Sequence, residues 1–270
     1  MKLYKRDYLK ITEEEKKEYE KVKEREIIEG SPFRRCLNYE YPKAMRHYLS
    51  LFPNNFMDIS DLHNKAQIRE KSESFLTLLN SLENKEPERQ ILRHIKNSES
   101  HFLVASILNN HFDFGHHDAY VFPEFKIGPY FVDYLIVGQN TGGYEFVFCE
   151  FESPVNKGSK KITLKDGSFG GVIRDGKKQI KEWKRLLQSN FKCVEESFRK
   201  ELHPERSLPN EFIEYDASRM HYVIVAGRRD DFNESSHREK RELSNDCIVI
   251  YYDRLYDYAI RLIDSERFTY

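Results

Sequence analysis

The chain has 270 residues, enough for one sizeable domain with an appendage or for two small domains. Its 44 basic and 45 acidic residues nearly cancel, so global charge gives no reason to expect a nucleic-acid partner and any such case must rest on local clustering. No apolar run approaches a membrane span, and Met1-Lys-Leu-Tyr-Lys-Arg-Asp7 is not followed by an apolar signal core, so a cytoplasmic protein with no membrane partner is expected.

Residues 1–85 read as a charged, helical N-terminal region. Thr12-Glu-Glu-Glu15 has capping-box spacing and predicts a helix to about Ile28, stopped by Gly30-Ser-Pro32. Tyr41-Pro42 and Phe52-Pro53 frame a short helix. Asp58-Ile-Ser-Asp61 opens another, with Phe75, Leu78, Leu79 and Leu82 on its apolar stripe. The region carries no chemical motif, so an interaction or assembly role is expected, with the domain boundary between residues 85 and 86.

Residues 86–270 carry the strands. Glu86-Pro87-Glu88 opens a helix that Asn97-Ser98 can break. Strands are predicted over 121–127, 130–137 and 144–151, the last two joined by the turn-rich Gly138-Gln-Asn-Thr-Gly-Gly143. A Gly- and Lys-rich loop over 156–174 leads to a helix over about 175–190. His221–Gly227 and Cys247–Tyr252 are strands with apolar residues on both faces, separated by a polar helix, Phe232–Leu243, and a final helix follows Asp253. Short links make the early strands antiparallel and helical crossovers make the late ones parallel. The expected fold class is α/β: a mixed central sheet flanked by helices, with a helical N-terminal region. Cys36, Cys149, Cys193 and Cys247 are dispersed and form no CxxC pair, which argues against a zinc ribbon; Cys149 and Cys247 read as small buried residues.

The chemistry concentrates in the third strand. Glu150 and Glu152 are two apart and share a strand face. Asp133 sits among apolar residues on the second strand. A buried carboxylate needs a cation or hydrogen-bond donors. Either Asp133 pairs with Arg or Lys and Glu152 emerges into solvent, or the acids hold a hard divalent ion that takes oxygen ligands. Gln179 and Trp183, four apart, share a helix face with Leu186 and Leu187; Trp183 reads as core, while Gln179 can orient a water or a phosphate. From Lys157 to Arg185 the basic residues exceed the acidic ones by seven. Such a run is either a solvated face or a phosphate-binding surface, with Lys157, Lys160, Lys161, Lys177, Lys178 and Lys181 as its candidates.

In order, Glu88 on a helix, Asp133 on the second strand, Glu150-Phe-Glu152 on the third and a Gln179-bearing helix resemble the PD-(D/E)XK nuclease core. More specifically, residues 86 to about 257 resemble the nuclease domain of the Shedu antiphage defence proteins. The stretches that carry this are Pro123-Glu-Phe-Lys-Ile-Gly128, Phe131-Val-Asp-Tyr-Leu135, Cys149-Glu-Phe-Glu-Ser-Pro154, Gln179-Ile-Lys-Glu-Trp183 and Ile250-Tyr-Tyr-Asp-Arg-Leu255. The resemblance implies a restriction-endonuclease-like core and Mg²⁺- or Mn²⁺-dependent cleavage of phage or plasmid DNA by a homo-oligomer. It makes Asp133 and Glu150 the metal pair, Glu88 the accessory acid and Gln179 a supporting residue. Glu152 stands where the family pattern has Lys. It would ligate a second ion, with Lys178 or Lys181 supplying the missing charge, or mark a member that binds DNA without cutting it. A further alternative is a zinc protein built on His111-Phe-Asp-Phe-Gly-His-His-Asp118, whose competing reading is a polar loop ending a helix.

Overall fold

The computed structural model describes residues 2–29, 40–57, 62, 64–82, 86–115 and 117–264. Cys36, the Gly30–Pro32 stop, Asp58–Asp61 and His116 lie outside the described residues.

Helix α1 (Glu13–Glu29) opens with the expected capping box: the Thr12 amide donates to Glu15 Oε2 at 2.9 Å and the Glu15 amide to Thr12 Oγ1 at 3.2 Å. Helix α2 (Pro42–Leu49) follows, and α3 (Lys65–Asn80) is capped by Asn64, whose side chain accepts from the Gln67 amide. Of the predicted stripe, Phe75 and Leu79 are buried and Leu78 and Leu82 pack against the same core. Helices α4 (Pro87–Asn97) and α5 (Phe102–His111) are separated where Asn97-Ser98 suggested.

Five strands form one sheet in chain order: β1 (Ala119–Ile127), β2 (Tyr130–Asn140), β3 (Gly143–Phe151), β4 (Met220–Val225) and β5 (Ile248–Ile250). The first three pair antiparallel and the last two join in parallel, as connection lengths required. Helices α6 (Gly171–Ser189) and α7 (Lys192–Glu201) lie between β3 and β4, α8 (Glu234–Leu243) lies between β4 and β5, and α9 (Asp253–Asp264) follows. The fold is therefore α/β with a mixed sheet flanked by helices.

Strand alternation splits the core in two. Val147, Cys149 and Phe151 face a layer of α3, α4, α5 and α9; Phe146 and Phe148 face α6 and α7, with Trp183 fully buried there. Both cores cross residue 85. Phe75 and Leu79 join Ile91 and Tyr134 on one side, and Leu51 and Phe52 join Phe122 and Phe198 on the other. Within residues 40–57 and 201–206, His47 Nε2 and His203 Nε2 lie 2.9 Å apart. His203 Nδ1 accepts the Glu205 amide, so His203 donates through Nε2 to His47, which donates through Nδ1 to the Tyr8 carbonyl. This one chain of tautomers satisfies all three contacts, and it requires both rings to be neutral.

Candidate active site

The sheet opens at the place where the acids sit. The β2–β3 ladder ends at Tyr134↔Cys149, and one step further in the same register puts Asp133 opposite Glu150. The β1–β2 ladder also skips Asp133, because its neighbour Glu124 holds a left-handed backbone with φ of 51°. Released from both ladders, Asp133 turns a carboxylate oxygen onto the Phe151 amide at 2.8 Å, a donor that would otherwise pair with the strand.

Glu150 continues the face of Phe146 and Phe148 and is 7% exposed. Its Oε2 is buried with no hydrogen-bond partner among the described residues. Burial pushes its carboxyl well above the usual range, and Asp133, Glu152 and Glu88 push it in the same direction. Asp133 is likewise raised by burial; the Phe151 amide opposes this, and Glu88 and Glu124 add to it. Glu152 lies just past the strand end and is pushed up to about 7 by burial, Glu88 and Asp175, with Lys157 pulling the other way. Glu88, at the start of α4, completes the group: its Oε1 meets Lys157 Nζ at 3.4 Å and its Oε2 is buried and unpartnered among the described residues.

Four acids thus face one another electrostatically, and two bury an unmatched oxygen. Leaving a buried acceptor unpaired costs about 1–3 kcal/mol, so the arrangement fits a cation that supplies what the protein does not. Among the described residues, no three His, Cys, Asp or Glu side chains are close enough to share one ion. The donor set suits an ion held by two carboxylates and completed by water and substrate oxygens, the usual mode of Mg²⁺.

The basic residues divide. Lys157 faces the acids, and Lys160 pairs with Asp175 on α6. Lys161, Lys178 and Lys181 are exposed, and Lys177 lies near Cys247. The cations that act on Glu152 are therefore Lys157, five residues downstream, and Lys160, rather than Lys178 or Lys181. Gln179 is half-buried one turn beyond Asp175, and its side chain makes no hydrogen bond to a described residue. Gly176 on the same helix brings the backbone against Glu152: a Cβ there would lie 3.2 Å from Glu152 Cγ.

Sequence reading missed three contributors. Tyr252, after β5, donates its hydroxyl to the Glu152 carbonyl at 2.6 Å and closes the site from behind. Asp175 adds a fifth negative group. A cavity of about 280 Å³ beside Asp133 is lined by Arg89, Arg93 and Lys96, at helical spacing on one side of α4. That spacing was readable, but the partner strand was not. Of the candidate zinc ligands, His111 Nε2 meets the Tyr258 hydroxyl at 2.6 Å and Asp118 accepts from Tyr120, while His116 lies outside the described residues.

The family model for the C-terminal part of Shedu protein SduA matches residues 85–256, which is 172 of the 270 residues. The chain belongs to the Shedu family. The match spans all five strands and every acid named above, and it associates this Shedu chain with antiphage defence. No curated protein and no solved structure matches the chain. No helix among the described residues is long and apolar enough to cross a membrane.

Proposed function

We propose that this Shedu protein is a metal-dependent DNA endonuclease with a restriction-endonuclease-like core. The observation that carries the reading is the register: Asp133 stands opposite Glu150 at the point where the sheet opens, and Glu150 buries an unmatched oxygen. Asp133 and Glu150 would hold Mg²⁺ or Mn²⁺, with Glu88 in support. The bound ion would supply an activated water and charge stabilisation at the phosphate.

The chain's own groups supply the rest. The Phe151 amide fixes one Asp133 oxygen and leaves the other for the ion. Lys157 brings positive charge beside Glu88 and Glu152, the function that the family pattern gives to a Lys at position 152. Arg89, Arg93 and Lys96 beside Asp133, together with the exposed Lys161, Lys178 and Lys181, would offer phosphate contacts to a bound strand. Such contacts carry little base information, so binding would be salt-sensitive and weakly sequence-selective.

The test is nicking of supercoiled plasmid by purified protein with Mg²⁺ or Mn²⁺. Cleavage by the natural protein, lost in Asp133→Asn and Glu150→Gln with the fold retained, supports the reading. Binding without cleavage under either ion sinks it and leaves a DNA-binding defence module.

A further inference from the structure

A second charged cavity lies away from the acids, beside the edge strand β5. Its volume is about 450 Å³, within the range of small-ligand sites. Its walls come from α5, α8, β5 and α9, and Lys240, Arg241, Arg254, Arg261, His111 and His237 line it. No carboxylate lines it among the described residues. Three guanidinium groups and an ammonium converging without an acid is costly, because like charges repel and the half-buried Lys240 and Arg254 lose part of their water.

The cations are held in place by neutral groups. Lys240 Nζ sits 5.1 Å from the ring centroids of both Phe232 and Tyr251, and the Arg254 guanidinium lies 5.2 Å from Tyr251. Arg261 donates to Asn110 Oδ1 at 3.0 Å. The nearest acid to Arg254, Asp257 at 3.9 Å, is already held by Arg229 through both oxygens at 2.7 and 2.9 Å. Lys240, Arg241 and Arg261 have no ion-pair partner among the described residues.

The geometry points to a binding site for a compact polyphosphate, either inorganic diphosphate or the phosphate chain of a nucleotide. Arg254 and Arg261 present planar donor forks one wall away from the ammonium of Lys240, a combination suited to several phosphate oxygens at once. A concave, acid-free site also disfavours a protein partner, which would bring its own backbone into a cleft of this size.

Lys240 is pulled down to about 8, first by burial and then by Arg254; His111 from α5 and His237 and Arg241 from α8 face the same space. An anion there favours the charged ammonium, so binding near pH 8 is expected to take up protons.

The experiment is calorimetric titration of the full chain with pyrophosphate and with ATP at low ionic strength. Both should bind, and Lys240→Gln with Arg254→Gln should weaken both by tenfold or more. Arg241→Gln, on the exposed rim, provides a second variant less prone to unfold and should weaken them severalfold. ATP binding much tighter than pyrophosphate identifies a nucleotide site, and equal affinities identify recognition of phosphate alone. Absence of binding by both probes at millimolar concentration, or affinities unchanged in folded variants, overturns the proposal.

Discussion

At the acid site, burial raises carboxyls: Glu150 stays protonated far above its ordinary range and Glu152 reaches about 7. At the cavity beside β5, burial does the reverse, taking Lys240 down to about 8 and His111 to about 4. The acid site crowds carboxyl groups around Asp133 and Glu150, where burial resists their ionisation; the cavity beside β5 gathers cationic side chains around Lys240 and Arg254. Each lacks an opposite partner of comparable strength from the protein. A fold does not maintain two like-charge clusters for stability, because each raises the free energy of the folded chain. The lesson is that a crowd of like ionisable groups without matching partners is a statement about what binds, and the sign they would carry names the class of ligand.

The sharpest way to break this contrast is to neutralise one acid. Glu150→Gln should lower plasmid cleavage by about 10²–10³-fold, the range for losing one electrostatic stabiliser. Its melting temperature without metal should not fall, since a destabilising buried acid is removed. A mutant that cuts normally would show that Glu150 is only a buried acid.

Ligand stabilisation should separate the two clusters. At about a hundredfold excess over Kd, a ligand adds about 2.7 kcal/mol, roughly 5 °C or more for a chain of this size. Mg²⁺ should raise the melting temperature of the natural protein and of Lys240→Gln, but not of Glu150→Gln; pyrophosphate should show the opposite pattern. The Mg²⁺ effect should also grow with pH. A carboxyl whose folded pKa is raised stabilises the fold below its unfolded value and loses that contribution as pH rises through the folded value. For Glu152 the window runs from 4.5 to about 7, so chelated protein should weaken across it and Mg²⁺ should restore most at the upper end. Scanning calorimetry at pH 5 and pH 8 checks this; an ion effect independent of pH would contradict it.

Lys157→Gln addresses the missing lysine. Cleavage should drop about tenfold, or about 1.4 kcal/mol, while Lys178→Gln changes the rate little. Equal effects from the two variants would mean that Lys157 acts only as one phosphate contact among several.

The smallest expected effect is at Gly176. Alanine gains about 0.5–1 kcal/mol in a helix interior but meets Glu152 Cγ at 3.2 Å and Ile224 Cγ2 at 3.3 Å. Gly176→Ala should therefore change stability by less than about 1 kcal/mol and slow cleavage by displacing Glu152. Denaturant titration and single-turnover rates measure the two separately.

Much of this was legible in the chain because it is local. The two hairpins, the two crossovers, the Glu150–Glu152 face and the burial of Trp183 all follow from periodicity and connection length. Helix α7 was missed because only Val194 and Phe198 are buried on it, two apolar positions among charges. Helix α6 begins at Gly171, four residues before the predicted start, because Gly170-Gly171 serves close packing rather than a loop: a Cβ on Gly170 would lie 2.1 Å from the Lys161 carbonyl oxygen. Lys157 meets Glu88 across 69 residues, and the cationic cavity draws on three helices far apart in sequence. Pairings of that range depend on tertiary packing, which no sequence window contains.

The core that crosses residue 85 has a further consequence. A polypeptide starting there would retain every acid of the candidate site and all five strands. It would also strip from α4 and α9 the helix α3, whose Phe75 and Leu79 share their core. The stretch that matches the family model thus shares both of its cores with residues before it. Residues from the first 80 form part of the wall around the strands that carry the candidate site.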